Sequence, residues 1–174
     1  VYDPNILKAF FLAGGPGSGK SYVVKRGTGG LGLKIVNSDD VFEKYLKDAG
    51  LSMKMPKSEE EPRDKLRDKA KSVTKSRMTN YVEGRLGLII DGTGKEYDKI
   101  AKQATELKQL GYDVHMIFVN TSLETALKRN AKRERTVPRS IATKSWKTVQ
   151  SNMGKFSQYF RQNFIVVDNN DSEE

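Results

Sequence analysis

Eight consecutive residues, Gly14-Gly15-Pro16-Gly17-Ser18-Gly19-Lys20-Ser21, have the spacing G-x-x-x-x-G-K-[ST]. Such a run can hold phosphate. Closely spaced glycines reach positive φ, so successive backbone N–H groups can turn inward around an anion. If a helix begins at the end of the loop, its unpaired N–H groups and its dipole favour the same negative charge. Lys20 can then reach the β- and γ-phosphates of a nucleoside triphosphate, and the Ser21 hydroxyl can ligate Mg²⁺. Gly15, Pro16, Gly17, Ser18, Gly19, Lys20, Ser21 and the following Tyr22 are therefore the expected nucleotide-binding set.

Two further groups carry chemistry. Asn37-Ser38-Asp39-Asp40 places carboxylates where one can accept a proton from a substrate hydroxyl, and Asp39 is the candidate base. Asp39 can equally serve as a helix cap without chemistry. Phosphoryl transfer also needs positive charge over the equatorial oxygens. Lys128-Arg129-Asn130-Ala131-Lys132-Arg133-Glu134-Arg135 supplies it, with Arg129 and Arg133 four residues apart and so expected on one helix face. Arg139 follows just past Pro138.

The surrounding pattern must position these groups. Apolar runs at 6–13, 33–36, 86–91, 114–119 and 164–167 read as strands. They alternate with helices over about 22–26, 41–49, 59–83, 95–110, 121–130 and 140–160. Ser58-Glu59-Glu60-Glu61 and Thr121-Ser122-Leu123-Glu124 have capping-box spacing, and Ser38 or Asp39 can cap the helix from Val41. The glycine-rich stretch 27–32 reads as a loop. In the long charged helix the inward stripe is Leu66, Ala70, Val73, Arg77 and Tyr81. Arg77 either snorkels to solvent or points into a polar cleft as a substrate ligand. Nearly all-apolar strands between helices imply an α/β fold: a five-stranded, mainly parallel sheet with helices on both faces. Ligands of such sheets sit at the carboxyl ends of the strands, where 14–21, Asp39, Asp40 and Asp91 all fall.

Composition adds bounds. A chain of 174 residues suits one domain, here 1–174, and it carries 31 Lys+Arg against 22 Asp+Glu, a formal net charge of +9. That excess fits a polyanionic partner or a solvated basic surface. There are no cysteines, which excludes disulfides and thiolate metal sites and fits a reducing cytoplasm. The chain begins at Val1 rather than Met, shows no signal-peptide pattern, and has no apolar run of the roughly 18 residues that a membrane span needs. His115 and Trp146 are isolated and read as core or surface positions. No obligate protein partner is evident.

Gly15-Pro16-Gly17-Ser18-Gly19-Lys20-Ser21, then Asn37-x-Asp39-Asp40, then Leu127-Lys128-Arg129-Asn130-x-Lys132-Arg133 with Val137-Pro138, resemble the 5′-hydroxyl polynucleotide kinases of the phage type. Ile90-Asp91-Gly92-Thr93, Leu110-Gly111-Tyr112-Asp113-Val114 and the Arg–Val–Pro segment also resemble the zeta-toxin-like kinases. The resemblance implies a three-layer P-loop NTPase fold with an arginine-bearing lid at about 129–139, using ATP and Mg²⁺. ATPase motors of that superfamily follow the third-strand Asp with a water-activating Glu; here Gly92 follows Asp91, so a transferase is implied instead.

By resemblance Asp39 is the general base, Lys20 and Arg133 stabilise the migrating phosphoryl group, and Arg129 supports the lid near ATP. Asp91 helps order metal or lid, and Asp40 stands at the acceptor. The polynucleotide kinases hold the acceptor phosphate with an Arg soon after the Asp-Asp pair; here Val41, Phe42 and Glu43 stand there. The acceptors implied are a 5′-hydroxyl end or a hydroxymethylated base such as hydroxymethyluracil in phage DNA, the enzyme then working in the host cytoplasm. The alternatives are a sugar nucleotide, as for zeta-type kinases, or an ATP-gated nucleic-acid-binding protein with no transferase activity.

Overall fold

Strand β1 (Lys8–Ala13) runs through the middle of the sheet, and its alternation explains the layers. Ala9, Phe11 and Ala13 face one side and Leu12 the other, as a period of two requires. The computed structural model describes residues 6–28, 31–133 and 137–170. The expected loop at 27–32 and the lid at 129–139 therefore lie partly outside the described residues.

The remaining strands are β2 (Lys34–Val36), β3 (Leu88–Asp91), β4 (Asp113–Asn120) and β5 (Phe164–Asp168). Their spatial order is β2-β3-β1-β4-β5, and every pairing is parallel. The helices are α1 (Lys20–Thr28), α2 (Ser38–Asp48), α3 (Glu60–Glu83), α4 (Tyr97–Gln109), α5 (Leu123–Lys132) and α6 (Arg139–Phe160). The α/β expectation, with five parallel strands between helical layers, holds.

On one face Phe11, Leu88, Val114, Met116 and Phe118 pack against Ala104 and Leu107 of α4 and Val149, Phe156 and Phe160 of α6. On the other face Val24 of α1 covers Leu12 and Ile89. The apolar edge strands are less buried than the central ones: Ile35 on β2 and Ile165 and Val166 on β5 remain exposed. A third core lies outside the sheet, where Phe42 and Leu46 of α2 close on Ala70 and Leu66 of α3. The guanidinium of Arg67 stacks 4.5 Å over the Phe42 ring. This helix pair fixes the face of α2 that carries the acidic residues.

Local expectations were revised in four places. Helix α2 starts at Ser38, and its cap is Asn37, whose side chain accepts from the Asp39 N–H; neither Ser38 nor Asp39 caps it. The capping box at 58–61 does not form, because the α3 cap is Glu59 without a side-chain bond, and its carboxylate accepts the Ser52 N–H instead. The second box is displaced by one residue: Ser122 caps α5 and accepts from Thr125. In α3 Met78 rather than Arg77 turns toward the core, leaving Arg77 exposed.

Candidate active site

The loop between β1 and α1 is set by its glycines. Gly17 and Gly19 adopt φ of +79° and +81°, values that glycine reaches without a steric cost. At Gly17 there is also no room: a Cβ would lie 2.1 Å from the Ala126 carbonyl oxygen of α5. The loop is pinned at its start as well, where the Gly14 N–H donates to the Thr93 carbonyl at 2.8 Å. Gly17→Ala should therefore strain both the loop and its seat on α5. Overpacking alone should cost about 1–3 kcal/mol, read as a lower melting temperature, with weaker nucleotide binding in a calorimetric titration.

Along the loop runs a cleft of about 390 Å³. It is lined by 15–21, by Asn37, Asp39, Asp40 and Glu43 from the start of α2, by Asp91, Gly92 and Thr93 after β3, and by Arg133 and Val137. The fold thus gathers Lys20, the adjacent Asp39 and Asp40, Asp91 and Arg133 from four places in the sequence. Asp39 and Glu43 are i and i+4 on α2 and so project from one face, next to the stripe of Phe42 and Leu46 that packs into the third core.

The charged groups are ordered by short contacts. Lys20 Nζ donates to the Gly92 carbonyl at 2.8 Å and lies 3.2 Å from Asp91 Oδ1. Asn37 Nδ2 donates to Asp91 Oδ2 at 3.0 Å, while Asn37 Oδ1 accepts from the Asp39 N–H at 2.9 Å. One amide therefore spaces the end of β3 from the first turn of α2. Partial desolvation, then the charges of Asp91, Glu43 and Asp39, push the Asp40 carboxyl above its ordinary value, against a lowering effect of Lys25. Among the lining residues four carboxylates (Asp39, Asp40, Glu43, Asp91) face two cations (Lys20, Arg133), although the chain as a whole is at +9.

Other expected site residues lie elsewhere. Arg129 is not in the cleft lining; it is buried behind the loop, with Nη1 3.5 Å from the Ser18 carbonyl. It does not share a side with Arg133 because α5 ends at Lys132, and Arg133 leaves the helix in extended conformation. Tyr22, also outside the lining, stacks under Arg26 at 5.2 Å. Arg77 is exposed on α3 and outside the lining. Glu134 and Arg135 lie outside the described residues.

Several asparagines hold the site without a strong local signal. Asn130 donates to the Val137 carbonyl at 2.7 Å and accepts its N–H at 3.1 Å, closing the return from α5. Asn152 of α6 donates to the Gly94 and Lys95 carbonyls, both at 2.9 Å, and so steadies the turn after β3. Asn37 alone was findable in sequence, as a favourable residue just before a helix.

The residues present fit a triphosphate and its metal. Two positive-φ glycines open the loop, and Ser18 Oγ is buried without a hydrogen-bond partner among the described residues. No group of three or more His, Cys, Asp or Glu able to hold a metal occurs among the described residues. Ser21, in the cleft lining, would hold Mg²⁺ together with the phosphates. Among the described residues no helix is long and apolar enough to cross a membrane.

Comparison with known proteins places this geometry. No curated protein matches the chain. Among solved structures, one of the Pnkp1/Rnl/Hen1 RNA repair complex superposes with a TM-score of 0.66 at 20% identity, over 87% of this chain and 47% of that one. One of AvrRxo1-ORF1:-ORF2 with ATP gives 0.71 at 16% identity, over 99% and 57%. One of the PezAT chromosomal toxin–antitoxin system of Streptococcus pneumoniae gives 0.69 at 18%, over 96% and 70%. The chain thus spans about half the length of the first two of these chains. The Zeta toxin family model matches residues 6–173, nearly the whole sequence. The chain belongs to the Zeta toxin family, and it shares the fold of these solved structures around its phosphate-binding loop.

Proposed function

We propose that this domain, spanning 1–174, is an ATP- and Mg²⁺-dependent phosphotransferase that moves the γ-phosphate to an alcohol of a nucleotide-class acceptor. The observation that carries the reading is the shared cleft: the phosphate-binding loop and Asp39 line one cavity. Asp39 takes the proton of the incoming hydroxyl. The freed oxygen forms its bond to the γ-phosphorus as the bond to the β–γ bridging oxygen breaks, and ADP leaves with that electron pair. Lys20, released from Asp91 and Gly92, follows the migrating phosphoryl group, and Arg133 meets it from the end of α5. Mg²⁺, held with the help of Ser21, would supply charge neutralisation to the transferring phosphates. Asp91 keeps Asn37 and Lys20 in place, and Asp40 borders the acceptor.

The acceptor hydroxyl belongs to a nucleic acid or a nucleotide. Glu43 favours a second reading over a 5′-hydroxyl end. It lines the cleft in the stretch where an acceptor-phosphate arginine stands in the polynucleotide kinases, and a carboxylate repels a phosphate there. A sugar nucleotide or a hydroxymethylated base presents its reacting hydroxyl without an adjacent phosphate. For a base within duplex DNA the nucleotide must first be turned out of the stack.

The experiment supplies ATP labelled at the γ-phosphate with three acceptors: 5′-hydroxyl oligonucleotides, hydroxymethyluracil DNA and sugar nucleotides. Label should pass to the second or third acceptor and be weakest on the first. ATP binding with no labelled product on any acceptor would instead support an ATP-gated binding protein.

A further inference from the structure

We infer that Asn169 and Arg129 are positioning residues for the nucleotide: from behind the loop they hold the Ser18 carbonyl so that the Gly19 N–H points into the cleft. The inference rests on the reading of 14–21 as a triphosphate cradle and concerns residues outside the cleft.

The argument begins with the peptide unit. No cis peptide bond occurs among the described residues, so in the unit joining Ser18 to Gly19 the C=O and N–H point in opposite directions. Fixing one end of that unit aims the other. Asn169 Nδ2 donates to the Ser18 oxygen at 2.9 Å, and the bond is buried. Arg129 Nη1 lies 3.5 Å from the same oxygen, at the limit of a directed bond, so it acts chiefly through its charge. With the carbonyl held on that side, the Gly19 N–H faces the opposite one, and Gly19 lines the cleft. A cation on the carbonyl also polarises the peptide and strengthens its N–H as a donor to an anion.

The holding groups are themselves well seated. The Asn169 N–H donates to the Asn120 carbonyl at 2.9 Å, one residue past the β4–β5 register pair Asn120–Asp168. Arg129 Nη2 reaches the Asn170 carbonyl at 3.4 Å, and Asn170 Oδ1 accepts the N–H of Ser122, the cap of α5. Ala126 and Arg129 are i and i+3 on α5, so one helix face touches two successive loop residues, Gly17 and Ser18. The same helix ends at Lys132, and Arg133, the residue after it, lines the cleft. Loop shape and lid arginine thus share one support.

The test uses Asn169→Ala, which removes the stronger donor, beside Arg129→Lys and Arg129→Met. Calorimetric titration with ATP and with inorganic tripolyphosphate, plus the melting temperature of the ligand-free protein, gives the readout. Asn169→Ala should raise Kd by roughly tenfold, the worth of one hydrogen bond to a preorganised site. The rise should be equal for ATP and tripolyphosphate, with the melting temperature nearly unchanged. Arg129→Lys should lose less than Arg129→Met. Should the methionine variant fail to fold, Asn169→Ala still decides.

Three results would overturn the inference: unchanged Kd in a folded Asn169→Ala, a loss confined to ATP and absent with tripolyphosphate (the signature of an adenine contact), or a loss that only follows a fall in melting temperature. A wild-type protein that binds neither ligand would overturn the cradle reading as well. Normal wild-type binding with unaffected variants removes this inference alone.

Discussion

Asp39→Asn is expected to lower the rate of phosphoryl transfer by about 10²–10⁴ while leaving ATP affinity nearly unchanged. The substitution keeps the shape and removes the proton acceptor. The expected phosphate contacts are on 15–21, whereas Asp39 lines the same cleft from the start of α2. The fold should tolerate it, because one carboxylate in the first turn of a helix contributes about 0.3–1 kcal/mol. Asp40 remains in that turn to serve the dipole. Single-turnover transfer of labelled phosphate, with an ATP titration on the same sample, separates the two quantities. Normal turnover in the variant would remove Asp39 from the chemistry and leave it as part of the helix start.

Lys20→Met should lower kcat by about 10²–10³, the usual loss on removing a preorganised group that meets developing charge, and it should weaken ATP binding too. This second effect distinguishes it from Asp39→Asn. Lys20 sits 3.2 Å from Asp91 Oδ1 and 2.8 Å from the Gly92 carbonyl, both residues of the cleft lining. The two side chains are 17% and 11% exposed, which makes the pair a partly desolvated one. Binding of a triphosphate therefore exchanges one anionic partner of Lys20 for another, rather than drawing a solvated lysine out of water. Lys20→Arg should not restore the rate, since a branched planar guanidinium cannot take the place of a compact ammonium beneath the loop. Rapid-quench measurement of kcat together with the Kd for ATP tests this; an unchanged kcat would exclude Lys20 from the transferring phosphoryl group.

The α/β reading was legible because central parallel strands are buried on both faces and so are written as unbroken apolar runs, as Leu88-Ile89-Ile90 is. The phosphate-binding loop was legible for a related reason: its glycines, Lys20 and Ser21 act through the backbone and through neighbours in sequence. Helix ends were harder. Asn37, Glu59 and Ser122 occupy the caps, each one or two residues from the expected position, because several Ser, Asp and Glu residues compete there and tertiary contacts select among them.

Pattern alone assigned Arg77 to the inward stripe and Arg129 to the face of Arg133. A helical period cannot say which of two adjacent residues, Arg77 or Met78, is turned to the core. Nor can it place the end of α5 at Lys132, which separates the two arginines.

By itself, then, the order of residues determined the element types, the cradle at 14–21 and the candidate base Asp39, all features whose physics is local or periodic. Tertiary structure alone decided which charges meet. Lys20 with Asp91, Asn37 between Asp91 and Asp39, Glu43 in the cleft lining, and Asn169 on Ser18 across 151 residues of chain are set by packing and peptide geometry. None of these distances exists until the sheet order β2-β3-β1-β4-β5 brings the strand ends together.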